Sequence, residues 1–90
     1  MRKLDPTREA LNFVMDLPAK QFRQVVGTIL GLLKNPLPHD SIQLTGSPYR
    51  RVDIGEYRVV YDYTDEVLRI LVVGKRNDDE VYRALKRKMT

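Results

Sequence analysis

The chain has 90 residues and no cysteine, so it can build one modest core but neither a second domain nor a disulfide framework nor a cysteine-based zinc site. Sixteen Lys+Arg against twelve Asp+Glu give a net charge of +4, which favours an acidic or polyanionic partner without amounting to a basic tail. No apolar run approaches the roughly 20 residues of a membrane span, and MRKLDPTREA lacks a signal-peptide core, so a cytoplasmic protein with no membrane partner is expected.

No repeat, low-complexity tract or linker divides residues 1–90, which are expected to form a single domain. In DPTREALNFVMDLP, Asp5 is the expected N-cap with Pro6 at the first helical position, and Ala10, Leu11, Val14 and Leu17 share one face. Pro18 closes that helix. In the next run Phe22, Val25, Val26, Ile29, Leu30 and Leu33 recur at three- and four-residue intervals, which predicts an amphipathic helix ending near Asn35-Pro36. The segment NPLPHDSIQLTGSP, with three prolines and a glycine, is expected to be a surface connection rather than an element.

From Tyr49 the period changes to two. YRRVDI, EYRVVYDY and EVLRILVV are rich in Val, Ile and Tyr and are separated by Gly55 and by TDE, which predicts three antiparallel strands joined by tight turns. Tyr57, Val59 and Tyr61 fall on one face and Arg58, Val60 and Asp62 on the other; Arg51 and Asp53 likewise oppose Val52 and Ile54. Helices followed by strands indicate an α+β fold, with two helices on one face of the sheet and an open face carrying charge. DDEVYRALKRKM then predicts a C-terminal helix, capped by Asp78 or Asp79, with basic residues in its last turn.

The order helix, helix, connection, then YRRVDIGEYRVVYDYTDEVLRILVVGKRNDDEVYR resembles the RelE branch of the RelE/ParE superfamily, small bacterial toxins of type II toxin–antitoxin pairs. The likeness covers nearly the whole chain, and GEYRVVY and VGKRNDDEVY carry most of it. It implies a RelE-like fold: two N-terminal helices on one face of a small, mainly antiparallel sheet of three to four strands, plus a short C-terminal helix. Members open with a strand, for which MRKLDP leaves at most three or four residues.

The resemblance also implies an activity: metal-independent cleavage of mRNA in the ribosomal decoding site, by attack of a ribose 2′-hydroxyl on the adjacent phosphate, with no cofactor. Such chemistry needs a base for the 2′-proton, cations for the charge growing on phosphate, and an acid for the leaving 5′-oxygen. Arginine suits the phosphate because its planar fork donates two parallel charge-assisted bonds and keeps its proton. Arg58 and Arg76 stand where the family places phosphate-binding arginines, and Tyr82 where it places a tyrosine against the cleaved nucleotide. On the first hairpin strand the family presents two basic residues two apart; Arg51 falls on the first and Asp53 on the second. A carboxylate there could be the general base, or could tie down Arg51 or Arg58 and leave the proton to Tyr82 or to water.

Arg50, Lys75, Arg83, Lys86 and Arg87 are candidate contacts to RNA backbone. Without the resemblance, most of these cations read as ordinary solvated surface charge, and Tyr82 as a helical tyrosine packing on the sheet. His39, alone among its kind, lies in a Pro-flanked loop and reads as exposed; Asp78, Asp79 and Glu80 read as capping acids rather than metal ligands. The expected partners are a cognate antitoxin, in a hetero-oligomer, and mRNA on the small ribosomal subunit. Two rivals are a ParE-like toxin that inhibits DNA gyrase by binding, and a non-toxic nucleic-acid-binding regulator, for which no helix-turn-helix or aromatic binding motif is visible.

Overall fold

The computed structural model describes residues 2–77 together with 82, 83, 86 and 87. In chain order the elements are β1 (Lys3–Pro6), α1 (Arg8–Met15), α2 (Ala19–Lys34), β2 (Ile42–Gln43), β3 (Arg50–Ile54), β4 (Tyr57–Tyr63) and β5 (Val67–Lys75). The sheet order is β1-β5-β4-β3-β2, with β1 parallel to β5 and every other pair antiparallel. This is the expected α+β arrangement, with five strands rather than three to four. The expected C-terminal helix and its Asp78 or Asp79 cap lie outside the continuously described residues.

Thr7, not Asp5, caps the first helix. Its Oγ1 accepts from the Ala10 N–H (3.1 Å) and donates to the Leu71 carbonyl (2.9 Å), while its own N–H donates to the Ile70 carbonyl (2.9 Å). One residue thereby ties the start of α1 to β5. Asp5 and Pro6 instead end β1, opposite Arg69 and Ile70, and at a sheet edge the missing N–H of proline is tolerated. The strand takes four residues, the most that the sequence leaves for it.

α1 and α2 lay Ala10, Val14, Val25, Ile29, Leu32 and Leu33 on the sheet face formed by Val52, Tyr57, Val59, Tyr61, Leu68, Ile70 and Val73. Each fully buried aliphatic side chain contributes about 1.5–3 kcal/mol relative to exposure. Tyr61 is the largest fully buried side chain, and its hydroxyl donates to the Pro36 carbonyl (2.7 Å), fixing the chain where α2 ends. Leu11 and Leu30, both expected in the buried stripes, are 48% and 52% exposed. They border a groove between the helices and β1.

The Pro-rich connection does contain an element. Ile42 and Gln43 pair with Arg51 and Arg50, and the turn that follows closes through the Leu44 N–H on the Tyr49 carbonyl (2.9 Å), with Gly46 at φ 76°. Two residues carry too little periodicity to reveal a strand. The same turn folds Leu44 and Tyr49 onto Val60, Leu71 and Val72, so the sheet face away from the helices is partly covered rather than wholly open. Leu71 reaches that face because of a β-bulge: Val60 pairs with Val72 and Tyr61 with Ile70, leaving Leu71 without a partner and breaking the alternation.

Candidate active site

Strict alternation decides which side chains meet on the second face. The β3–β4 register sets Asp53 directly opposite Arg58, and the β4–β5 register sets Arg58 opposite Gly74. Gly74 has no side chain, so nothing from β5 crowds the guanidinium at its own level. Gly55, at φ 57°, makes the tight turn that brings β3 back as β4. At the mouth of that turn the Arg76 N–H donates to the Glu56 carbonyl (2.9 Å), which holds the end of β5 beside the hairpin.

Asp53 and Arg58 form a forked ion pair: Nε donates to Oδ1 at 2.7 Å and Nη2 to Oδ2 at 3.1 Å. The third nitrogen, Nη1, donates to the Tyr82 hydroxyl at 2.5 Å, and the guanidinium carbon lies 5.5 Å from the centre of the Tyr82 ring. Arg51 Nη1 reaches Asp53 Oδ2 from the other side at 3.5 Å. The hydrogen bonds from Arg58 hold the Asp53 carboxyl below the usual carboxylate range; the charges of Arg58, Arg51 and Arg76 add to this, and partial burial opposes it. The same bond to Asp53 raises Arg58 above its ordinary value.

The structure thus brings Arg51, Asp53, Arg58 and Tyr82 into one bonded cluster, with Arg76 near enough for its charge to act on Asp53. Arg50 does not join them. It lies in register with Tyr61 on the helix side, and its guanidinium donates to the Ser41 hydroxyl (2.8 Å) and carbonyl (3.2 Å). Lys75 shares its register with Tyr57 and is exposed at the strand end. Arg83, Lys86 and Arg87 are exposed, and Arg87 pairs with Glu9 of α1 at 3.8 Å. His39 is exposed as expected. A second cross-strand pair on this face, Arg69 with Asp62, is separated from the cluster by Val60 and Val72. Sequence reading overlooked Gly74, whose signal is a glycine inside an otherwise β-branched strand.

Three arginines around one carboxylate and a tyrosine concentrate positive charge beside an aromatic ring. Two helices packed on one face of a five-stranded, mostly antiparallel sheet are the RelE-like toxin fold. The family model described as the ParE toxin of type II toxin–antitoxin systems matches residues 4–80, and the chain belongs to that family, within the RelE/ParE superfamily of toxins. The isolated Escherichia coli RelE toxin is 25% identical with TM-score 0.75, covering 100% of both chains. A doubly arginine-substituted E. coli RelE in the free state is 28% identical with TM-score 0.77, covering 96% of each chain. The archaeal RelE–RelB complex from Pyrococcus horikoshii is 25% identical with TM-score 0.71, covering 83% of this chain and 94% of that one. No curated protein sequence matches.

Proposed function

We propose that this toxin is a metal-independent endoribonuclease that cleaves mRNA in the decoding site of the ribosome and so inhibits translation. The observation that carries the reading is the Arg58 guanidinium aimed at the Tyr82 hydroxyl in the midst of Arg51 and Arg76. In the reaction a ribose 2′-hydroxyl gives its proton to Tyr82 or water and bonds to the adjacent phosphorus, the P–O5′ bond breaks, the 5′-oxygen takes up a proton, and the product is a 2′,3′-cyclic phosphate. Arg58 and Arg76 bind the phosphoryl oxygens, whose charge grows in the transition state. Tyr82 stacks on a splayed base, worth roughly 1–3 kcal/mol, with its hydroxyl beside the phosphate. Arg51 adds to the field. Lys75, Arg83, Lys86 and Arg87 supply sequence-independent contacts to ribosomal RNA or message.

A cell-free translation mixture tests this directly, with breaks in the message mapped by primer extension. Cuts confined to ribosome-bound message and absent with Arg58→Ala and Arg76→Ala are the expected result. The match to the ParE family model favours a second reading, inhibition of DNA gyrase by binding alone. Intact message together with inhibited gyrase supercoiling would establish that reading instead.

An antitoxin is the regulatory partner, acting in the cytoplasm where message is translated. Its docking surface is the groove between α1, α2 and β1, lined by apolar side chains that include Leu4, Leu11, Val26, Leu30 and Ile70. Helical periodicity sets Arg8 on the α1 rim and Arg23 and Lys34 on the α2 rim, and α2 carries no acidic residue. An amphipathic antitoxin helix with a leucine stripe and acidic flanks matches that pattern. A second copy of the chain would set the same basic rims against each other. The groove lies on the helix side of the sheet and the arginine cluster on the other.

A further inference from the structure

Arg58 has two edges available for a forked bond, and Asp53 holds one of them. Its carboxylate meets Nε and Nη2 in the same planar, two-bond arrangement that an arginine offers to phosphate. Counting Arg51, three of the roughly four acceptor sites of a carboxylate are occupied by arginine donors. We propose that Asp53 is a positioning residue rather than the proton acceptor: it clamps the Nε edge of Arg58, so that the Nη tip beside Tyr82 is the part that meets the scissile phosphate. This rests on the endoribonuclease reading and specifies how that site presents its charge.

Three observations converge on it. The in-register pairing of Asp53 with Arg58, one pair in from the turn that joins β3 to β4, builds the clamp into the hairpin, whereas Tyr82 meets the guanidinium from outside the sheet. An efficient general base has a proton affinity near the working pH, and the surrounding arginines hold Asp53 well on the acidic side of that. Gly74 leaves Arg58 unsupported from β5, so without Asp53 its long side chain would regain the rotamer freedom that a preorganised donor must lose. The carboxylate also repels an incoming phosphate, so Asp53 weakens substrate binding in either role; what sets a clamp apart is that an uncharged acceptor for Nε restores most of the rate.

The test compares wild type, Asp53→Asn and Asp53→Ala on programmed ribosomes. Binding is measured with a message carrying a 2′-deoxy nucleotide at the cleavage position, and single-turnover cleavage is followed from acid to alkaline pH with the all-ribose message. Asn keeps an acceptor for Nε, so its cleavage rate is expected to fall by about tenfold or less and that of Ala by about 10²-fold or more, since a misplaced donor approaches a missing one. Both variants should bind the deoxy message more tightly, and neither should change the shape of the pH profile. The Arg58 Nε–H resonance should be protected from exchange in wild type and lose protection in Asp53→Ala.

If Asp53 is the base, Asn and Ala lose about 10²–10⁴-fold alike and the acidic limb of the profile disappears; that combination overturns the proposal. Intact message with wild type is a different failure, of the endoribonuclease reading itself, and removes this proposal with it.

Discussion

Asp53 and Arg58 face each other across β3 and β4 in register, and the forked ion pair between them uses two of the three nitrogens of the guanidinium. A lysine in place of Arg58 would keep the charge and lose the fork, because an ammonium cannot bridge Asp53 and reach Tyr82 in one plane. Arg58→Lys should therefore cut message almost as poorly as Arg58→Ala, each about 10²–10³-fold below wild type in single-turnover cleavage. Near-full activity in the lysine variant would show that charge alone suffices.

The pair also makes stability depend on pH in a definite direction. Because the folded state holds Asp53 below the usual carboxylate range, its contribution is complete above the unfolded-state value and is lost as pH falls through the depressed folded one. The difference in Tm between wild type and Asp53→Asn should thus be largest near neutrality and narrow in acid. A thermal-melt series across that range checks it, and a gap that widens in acid would contradict the ion pair.

Tyr61 offers a test of the fold on the sheet face away from the Asp53–Arg58 cluster. Removing its hydroxyl in Tyr61→Phe leaves the Pro36 carbonyl without the bond it receives inside the structure. The expected cost is about 1–3 kcal/mol in urea unfolding, the penalty for an unmatched buried acceptor, with cleavage at saturating ribosome concentration unchanged.

Much of this architecture is written plainly in the chain. The apolar repeats of α2 and the alternation in β3, β4 and β5 are long enough to announce a helix and three strands, and alternation alone sets Arg51, Asp53 and Arg58 on one face. What stayed hidden is of two kinds. Two-residue β2 and the edge strand β1 draw their pairing from the neighbours they meet, so local propensity says little about them. The Asp5-Pro6 pattern is a sound helix start in isolation, yet β5 pairs with those residues and moves the cap to Thr7. The bulge at Leu71 likewise arises from register between strands. At the site, sequence could set Asp53 beside Arg58 but could not show which edge of the guanidinium it takes.

Gly27 and Gly31 sit within α2, exposed, and a Cβ added at either meets nothing within 4 Å. Among the described residues, neither is needed for packing. Glycine in a helix interior is less favourable than alanine by about 0.8–1.0 kcal/mol, so Gly27→Ala and Gly31→Ala should each raise stability by roughly that amount in urea unfolding. No gain would mean that the backbone there meets a constraint outside the helix.

Leu30 separates the two faces of the molecule functionally. It is half exposed on the rim of the apolar groove, between Arg23 and Lys34 on the same helical stripe and on the opposite side of the sheet from Arg58. Leu30→Glu should leave the fold and the cleavage rate within about twofold of wild type, since surface substitutions away from packed features usually change stability by less than 0.5 kcal/mol. It should at the same time weaken, by about tenfold or more, binding of a synthetic amphipathic peptide with leucines at heptad spacing and glutamates on its flanks, because it sets a carboxylate against an apolar stripe and acidic flanks. Fluorescence anisotropy of the labelled peptide reads this out, with a lysine-flanked peptide as the control that the basic rim should reject. Equal binding of both peptides, or a peptide insensitive to Leu30→Glu, would remove the groove as the docking surface while leaving the arginine cluster untouched.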